Sequence, residues 1–162
     1  MKVTLYHGGS HIIEKPEIRE PERTLDFGKG FYLTSSERQA NLWIKSHLKN
    51  NNGGYVNIYD FDYDKAIKSL KIKKFKGADK EWVDFVLSNR LKEGFTHDYD
   101  VVIGPVANDK VYTQFTLFEG GIITKETLIK ELKTYKLVDQ FLFHTQKSLE
   151  ELKYKGNYPV IL

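Results

Sequence analysis

The sequence has no cysteine, and this absence excludes several kinds of chemistry. Without thiols, the 162-residue chain can form no disulfide, no thiolate nucleophile and no zinc site that needs a cysteine ligand. Five histidines are present, but none has the paired spacing of an HExxH motif or another common ligand set. We therefore expect no metal cofactor.

Long apolar runs are also missing. No stretch approaches the roughly 18 to 20 apolar residues of a membrane span, and no apolar run of signal-peptide length follows Lys2. We therefore predict a cytoplasmic protein without a membrane partner. Neither sign of charge dominates, since 25 Lys and Arg face 22 Asp and Glu, and the net charge of +3 is small for a nucleic-acid binder. The densest basic run, at residues 71–76, predicts a solvated turn or, alternatively, the rim of a groove for an anionic substrate.

The common nucleotide and hydrolase motifs are absent as well. The chain has no GxSxG elbow, no P-loop and no GxGxxG fingerprint. Gly28 and Gly30 are too close together for a dinucleotide-binding turn, and they precede a predicted strand where that fingerprint must follow one.

What is present is the composition of one globular domain spanning residues 1–162. Hydrophobic residues make up 40% of the chain, and ten Tyr and ten Phe argue against a disordered segment. Short alternating runs mixed with helical periodicity predict an α+β fold. We expect helices at 36–49, at 80–91 with Asp79 as the cap, from Thr124, and around Leu149 and Leu152. We expect strands at 3–7, before a break at Gly8, and near 31–34, 55–59, 100–103, 112–118, 141–143 and 159–162.

Three segments of the sequence form a recognisable set. They are LYHG at residues 5–8, GKGFYL at 28–33 with Trp43 eleven residues after Tyr32, and DQFLFH at 139–144. In this order they resemble the ADP-ribosyltransferase superfamily, in the His-Tyr-Glu branch that poly-ADP-ribose polymerases and diphtheria-like toxins share. The set is most similar to a group of small bacterial proteins of that clan. Several clan members are toxins encoded beside an antitoxin.

The resemblance implies a fold and a role for each site residue. It implies split mixed β-sheets that form an NAD-binding cleft flanked by helices. His7 would bind the ribose next to the nicotinamide, and the main chain of Gly8 would pair with the carboxamide, where a Cβ would block the approach. Tyr32 and Trp43 would enclose the nicotinamide ring. The residues alone leave other readings open, since His7 suits an ordinary strand end and both aromatic residues suit a core.

The sequence departs from the family pattern at Gln140. The resemblance expects a glutamate at the start of this late strand, and an amide can hold a ribose hydroxyl but cannot act as a base. Three explanations are open: an acceptor that needs no base, a charge supplied by Asp139 or Glu119, or a domain that binds NAD without transferring it.

The resemblance therefore predicts a mono-ADP-ribosyltransferase that uses NAD as substrate, with His7, Tyr32 and Gln140 as catalytic residues. Its acceptor would be a protein or a nucleic acid, and a small antitoxin is a possible partner. A catalytically inactive NAD-binding pseudoenzyme and an NAD glycohydrolase are the alternatives.

Overall fold

The chain folds into a single α+β domain around a seven-stranded mixed sheet. The computed structural model describes residues 1–21 and 25–162. In these residues the strands are β1 (Lys2–Gly9), β2 (Phe31–Thr34), β3 (Gly53–Asp62), β4 (Ile72–Lys74), β5 (Val101–Pro105), β6 (Asp139–Phe143) and β7 (Leu152–Ile161). The helices are α1 (Glu37–His47), α2 (Tyr63–Ala66), α3 (Lys80–Leu91), α4 (Asp109–Glu119), α5 (Lys125–Leu132) and α6 (Gln146–Leu149).

The sheet has the strand order β4-β5-β6-β2-β1-β3-β7, and its weakest junction lies in the middle. Strands β1, β3 and β7 pair along long antiparallel ladders, while β2 pairs with β6 and β6 with β5. Strands β1 and β2 are joined by one register pair, Tyr6 with Thr34. Two small sheets were expected from the sequence, whereas the strand ladders form one sheet whose two halves meet at that pair.

Each face of the sheet has its own apolar cover. Leu5 and Phe31 point to one face, where they join a cluster closed by α2 and α6. On the other face, α3, α4 and α5 pack over β5 and β6 around Val102 and Leu142. Helix α1 packs separately over β1 and β3, through Ala40 and neighbouring apolar residues. The second face therefore has two groups of helices, and β2 lies at the boundary between them.

The predicted helix starts are confirmed where a side chain caps the first turn. Ser36 accepts a hydrogen bond from the Gln39 N–H at the start of α1, and Asp79 accepts one from Trp82 at the start of α3. Thr124 caps α5 in the same way. These caps satisfy main-chain donors that have no partner within the helix.

The prediction of a strand at residues 112–118 is wrong, because these residues belong to α4. Asn108 caps this helix, and Val111 and Phe115 are both fully buried one helical turn apart. The ring centroid of Phe115 lies 6.1 Å from that of Trp82 in α3. The alternating aromatic residues suggested a half-buried strand, but packing against α3 favours the helix.

The C-terminal prediction also needs correction. Helix α6 ends at Leu149, and Leu152 begins β7, which is ten residues long rather than a short strand at 159–162. The lysine-rich segment is not only a turn, because Ile72–Lys74 form strand β4 beside β5. No helix among the described residues has the length and apolar character that a membrane span requires.

Candidate functional site

His7 lies in β1 just beyond the pair that joins the two halves of the sheet. Its Nδ1 is 2.7 Å from the main-chain oxygen of Tyr32 in β2. A carbonyl oxygen only accepts hydrogen bonds, so Nδ1 carries the proton and Nε2 of the neutral ring is an acceptor. The ring stacks on Phe31 at a centroid distance of 4.4 Å. A Cβ on Gly9 would lie 3.1 Å from Nε2, so the glycine leaves this acceptor uncrowded.

The environment of His7 favours the neutral ring. Burial lowers the pKa of His7 below its ordinary value of 6.5, and the hydrogen bond to the Tyr32 carbonyl opposes this shift. The neutral imidazole therefore predominates at pH 7, with one donor already used and one acceptor available.

Gly8 has a packing role that the sequence did not reveal. A Cβ at this position would lie 2.5 Å from the main-chain oxygen of Ala40 in α1. The close approach of α1 to β1 thus requires a glycine at this position even without a ligand. We had explained this glycine by a ligand that approaches the main chain, and the structure provides a second cause.

Tyr32 is fixed by its hydroxyl group. The hydroxyl donates to the Gly28 carbonyl at 2.5 Å and accepts from the Phe27 N–H at 3.1 Å. Burial strongly raises the pKa of Tyr32, so the phenol stays protonated at physiological pH. The ring packs against the cluster beneath α3 and α4.

Two histidines, His97 and His144, also bind the loop at residues 27–30. His97 Nε2 is 2.7 Å from the Phe27 carbonyl oxygen, and His144 Nδ1 hydrogen-bonds to the Lys29 carbonyl oxygen. With Tyr32 on Gly28, three consecutive carbonyls each accept a hydrogen bond from a different side chain. His97 could not be identified from the sequence, since a lone histidine in a loop gives no signal for such a contact.

Gln140 lies near the start of β6 and is the least satisfied of the candidate residues. It pairs with Thr34 of β2 on one side and with Gly104 of β5 on the other. Its Nε2 is buried and has no hydrogen-bond acceptor among the residues that the structure describes. A buried donor without a partner costs roughly 1 to 3 kcal/mol, so this amide is suited to bind an added acceptor. The neighbouring Asp139 is exposed.

Trp43 lies on the outer side of α1. Its side chain is 38% exposed and stacks on His47 one turn further along the helix, at a centroid distance of 4.6 Å. The alternative that Trp43 is a core residue is therefore wrong. Among the described residues the structure does not bring the indole into ring contact with Tyr32, so the proposed enclosure of a nicotinamide ring stays a prediction.

The candidate residues lie on three neighbouring strands but do not all share one face. Tyr32 and Gln140 project to the same face, because Thr34 is the cross-strand partner of Gln140 and lies two residues from Tyr32. His7 projects to the opposite face with Phe31 and reaches Tyr32 through the main chain. Whether the three side chains line one ligand pocket stays a prediction.

Comparison with known proteins identifies the family. The profile of a protein of unknown function, DUF3990, matches residues 3–154. The chain belongs to the DUF3990 family. No curated protein and no solved structure matches it. The match includes every candidate residue from His7 to Gln140, so the site belongs to the part of the chain that defines this DUF3990 domain.

A buried ion pair between Asp26 and Arg90 supports the loop at residues 27–30 of this DUF3990 domain. The carboxylate of Asp26, only 10% exposed, accepts a hydrogen bond from the Tyr112 hydroxyl at 3.0 Å and lies 3.9 Å from an Arg90 guanidinium nitrogen. The guanidinium also lies over the Tyr112 ring, 4.5 Å from its centroid. Asp26 therefore anchors the turn before Gly28 to α3 and α4. Within the described residues, no group of three or more histidine or acidic side chains could hold a metal ion.

Proposed function

We propose that this DUF3990 protein is an NAD-dependent mono-ADP-ribosyltransferase of the His-Tyr-Glu branch of the ADP-ribosyltransferase superfamily. The cleft for NAD would lie where β1 and β2 part beyond Tyr6 and Thr34. The segments that carry the resemblance lie on β1, β2 and β6. These strands are separated in sequence, and two of them, β1 and β6, flank β2 in the sheet.

The observation that best supports the proposal is the state of His7. Its ring bridges the two strands at the point where their pairing stops, and it is held as a neutral acceptor with Nε2 beside Gly9. An acceptor of this kind suits a ribose hydroxyl, which is a hydrogen-bond donor. In the proposal, His7 receives the hydroxyl of the ribose next to the nicotinamide.

The aromatic residues would bind the leaving group. Tyr32 is held by its hydroxyl, so its ring offers a fixed surface against which the nicotinamide can pack. Trp43 is exposed and stacks on His47 of the same helix, so it can turn onto a bound ring. The main chain of Gly8, in β1, would pair with the carboxamide.

Gln140 would make a second contact with the ribose, in addition to that of His7. Its buried Nε2 would donate to a ribose hydroxyl oxygen, which satisfies the donor and orients the sugar. The glycosidic bond between the ribose C1′ and nicotinamide breaks, and nicotinamide leaves with the electron pair. The acceptor's lone pair then forms the new bond to C1′, and its proton is released to solvent. Because an amide cannot remove that proton, we expect an acceptor that is nucleophilic without a base.

The experiment is to incubate the purified protein with NAD labelled in the adenylate part and a whole-cell lysate. We expect label in either the protein or the nucleic-acid fraction, which also identifies the acceptor class. His7→Ala should remove the label, whereas His11→Ala, a change of an exposed loop histidine, should not. Free ADP-ribose without a labelled macromolecule would indicate an NAD glycohydrolase. Absence of both products would contradict the transferase proposal.

A pseudoenzyme that only binds NAD is the second candidate, and Gln140 is the residue that favours it. The position holds a neutral amide where the wider family has an acid, which fits retention of the sugar contact without transfer. Expression in a bacterial host separates the two. A cytoplasmic toxin held by a small antitoxin would arrest growth when expressed alone, and His7→Ala would relieve that arrest.

A further inference from the structure

Asn57 of β3 is a fully buried polar residue, and both polar atoms of its amide bind the main chain of one segment. Its Oδ1 accepts from the Ile13 N–H at 2.8 Å, and its Nδ2 donates to the His11 carbonyl at 3.0 Å. Residues 10–13, which follow the end of β1, are here called the return segment. Two hydrogen bonds from one planar amide fix the direction of this segment as well as its distance from β3.

The return segment runs back along β1 on the face that carries His7. In the antiparallel ladder between β1 and β3, Asn57 is the partner of His7 and Tyr59 is the partner of Leu5. The segment binds Asn57 first and then Tyr59, whose hydroxyl donates to the Ile13 carbonyl at 2.5 Å. Cross-strand partners project to the same face with their Cβ atoms about 4.5 to 5.5 Å apart, so the segment lies beside the His7 side chain.

The His7 ring is therefore enclosed from two sides. Phe31 of β2 stacks on the ring at a centroid distance of 4.4 Å. On the β3 side lie Asn57 and the return segment, and Ile13 of that segment packs against the apolar cluster that contains Phe31. The Nε2 atom of His7 points toward Gly9, where a Cβ would lie 3.1 Å from it. Gly9 thus leaves room at this acceptor on a third side.

The chemistry of Asn57 distinguishes positioning from core packing. An apolar side chain at this buried place would fill the core without polar atoms that need partners, whereas a buried amide is costly unless it is hydrogen-bonded. Both polar atoms of Asn57 are bonded to the return segment, and the residue is fully buried. Asn57 can therefore act on a ligand only through the groups that it holds in place.

We propose that Asn57 is a positioning residue for His7. By holding the return segment beside the ring, it keeps bulk water away from His7 and leaves Nε2 open toward Gly9, where the ribose hydroxyl would bind. The contact with ribose rests on the proposed function, whereas the enclosure of His7 does not. Burial is the main cause that lowers the pKa of His7, so release of the segment should return this pKa toward 6.5.

The first test follows the enclosure without NAD. In the full chain labelled with ¹⁵N, Asn57→Leu should speed hydrogen exchange of the Ile13 amide about tenfold or more. It should also move the titration midpoint of the His7 ring, measured by NMR, up toward 6.5. Asn157→Leu is the control and should change neither quantity, because Asn157 is the β7 partner of Asn57 but its amide binds the Tyr154 hydroxyl.

Two results of this test would overturn the proposal. One is an Ile13 amide that exchanges at the wild-type rate in Asn57→Leu. The other is faster exchange of Ile13 with an unchanged His7 midpoint, since the segment would then not enclose the ring.

Tyr59→Phe covers the case in which Asn57→Leu does not fold. This change removes only the hydroxyl that binds the Ile13 carbonyl, and the ring stays in the core. The same two changes should appear to a smaller degree. Faster Ile13 exchange in folded Tyr59→Phe without movement of the His7 midpoint would again overturn the proposal.

The second test measures kcat and the KM for NAD. Asn57→Leu should raise the KM about 3- to 10-fold with a smaller change in kcat, because His7 is present but less well placed. A role in stability alone would lower the fraction of folded protein, which lowers the apparent kcat at unchanged KM, and that result would overturn the proposal. If the wild type neither binds nor consumes NAD while the His7 midpoint follows the return segment, the proposed function fails and the enclosure of His7 by Asn57 is still supported.

Discussion

Two parts of the candidate site, here called the loop side and the open side, differ in how many of their polar groups have a hydrogen-bond partner. On the loop side, at residues 27–30, three consecutive carbonyls accept hydrogen bonds and the Tyr32 hydroxyl both donates and accepts. On the open side, represented by Gln140 and Trp43, the buried Gln140 amide nitrogen has no acceptor among the described residues, and the Trp43 indole is 38% exposed.

This difference suggests that the loop side supports the fold, whereas the open side is a binding surface. The loop side is built by contacts that exist without a ligand, so changes there should first affect folding. The open side contributes little to the core, so changes there should first affect binding. Each of the following variants tests whether this division is correct.

The largest loss of stability should come from Gly30→Ala, on the loop side. Gly30 has a φ of 152°, and a Cβ there would collide with the main-chain oxygen of Phe143. We expect a loss of about 3 kcal/mol or more in the free energy of unfolding, measured by urea denaturation. Gly77→Ala is the matched control, because a Cβ there meets no atom within 4 Å, and it should change stability by about 0.5 kcal/mol or less. Equal effects would show that the loop is not rigid.

A smaller loss of stability should follow Tyr32→Phe. This change removes the group that binds the Gly28 carbonyl and the Phe27 N–H, and we expect a cost of about 1 to 3 kcal/mol. Tyr55→Phe is the control, since that hydroxyl has no hydrogen-bond partner among residues 1–21 and 25–162. A cost for Tyr32→Phe no larger than for the control would contradict the described hydrogen bonds.

The pH dependence of stability should reflect the two histidines whose pKa is lowered by burial, His7 and His97. The pKa values of His7 and His97 are lowered by burial, so their neutral forms contribute stability that is present above pH 6.5. That stability should decline as the pH falls from 6.5, because the unfolded chain takes up protons first. Urea unfolding at pH 7.5 and 5.5 measures the loss, which His97→Gln should reduce. An unchanged loss would exclude His97 as its source.

The smallest effect on stability should come from Trp43→Ala, on the open side. The exposed indole stacks on His47, so its removal should cost about 1 kcal/mol or less in the free energy of unfolding. NAD binding should weaken by about 1 to 3 kcal/mol if the indole packs on nicotinamide, which calorimetry can measure. A cost of about 3 to 5 kcal/mol in stability would instead show a core role.

The sequence predicted elements that depend on local interactions, and it missed those that depend on contacts between residues far apart in the chain. Helices α1, α3 and α5 were predicted because Ser36, Asp79 and Thr124 are local start signals. Helix α4 was missed because its buried face is defined by contact with Trp82, far away in sequence. The length of β7 depends on its pairing with β3, which no local pattern contains.

The placement of the candidate residues on strands was predicted in part for the same reason. His7, Tyr32 and Gln140 belong to short motifs and could be named, and the structure places them on β1, β2 and β6. The roles of His97 and Asp26 could not be predicted, because each depends on a contact across more than sixty residues of chain. The sequence left open whether Trp43 is a core residue, and the structure places it on the exposed side of α1.

Nicotinamide release by the wild type, Gln140→Ala and Gln140→Glu tests the central claim most directly. Each protein is incubated with NAD and the lysate fraction that contains the acceptor. If the amide orients the ribose, Gln140→Ala should lower the rate about ten- to a thousand-fold with a smaller change in NAD affinity. Gln140→Glu should keep or raise release to water or a weak acceptor. A wild type that binds NAD but releases no nicotinamide with any fraction, beside an active Gln140→Glu variant, would contradict the transferase account.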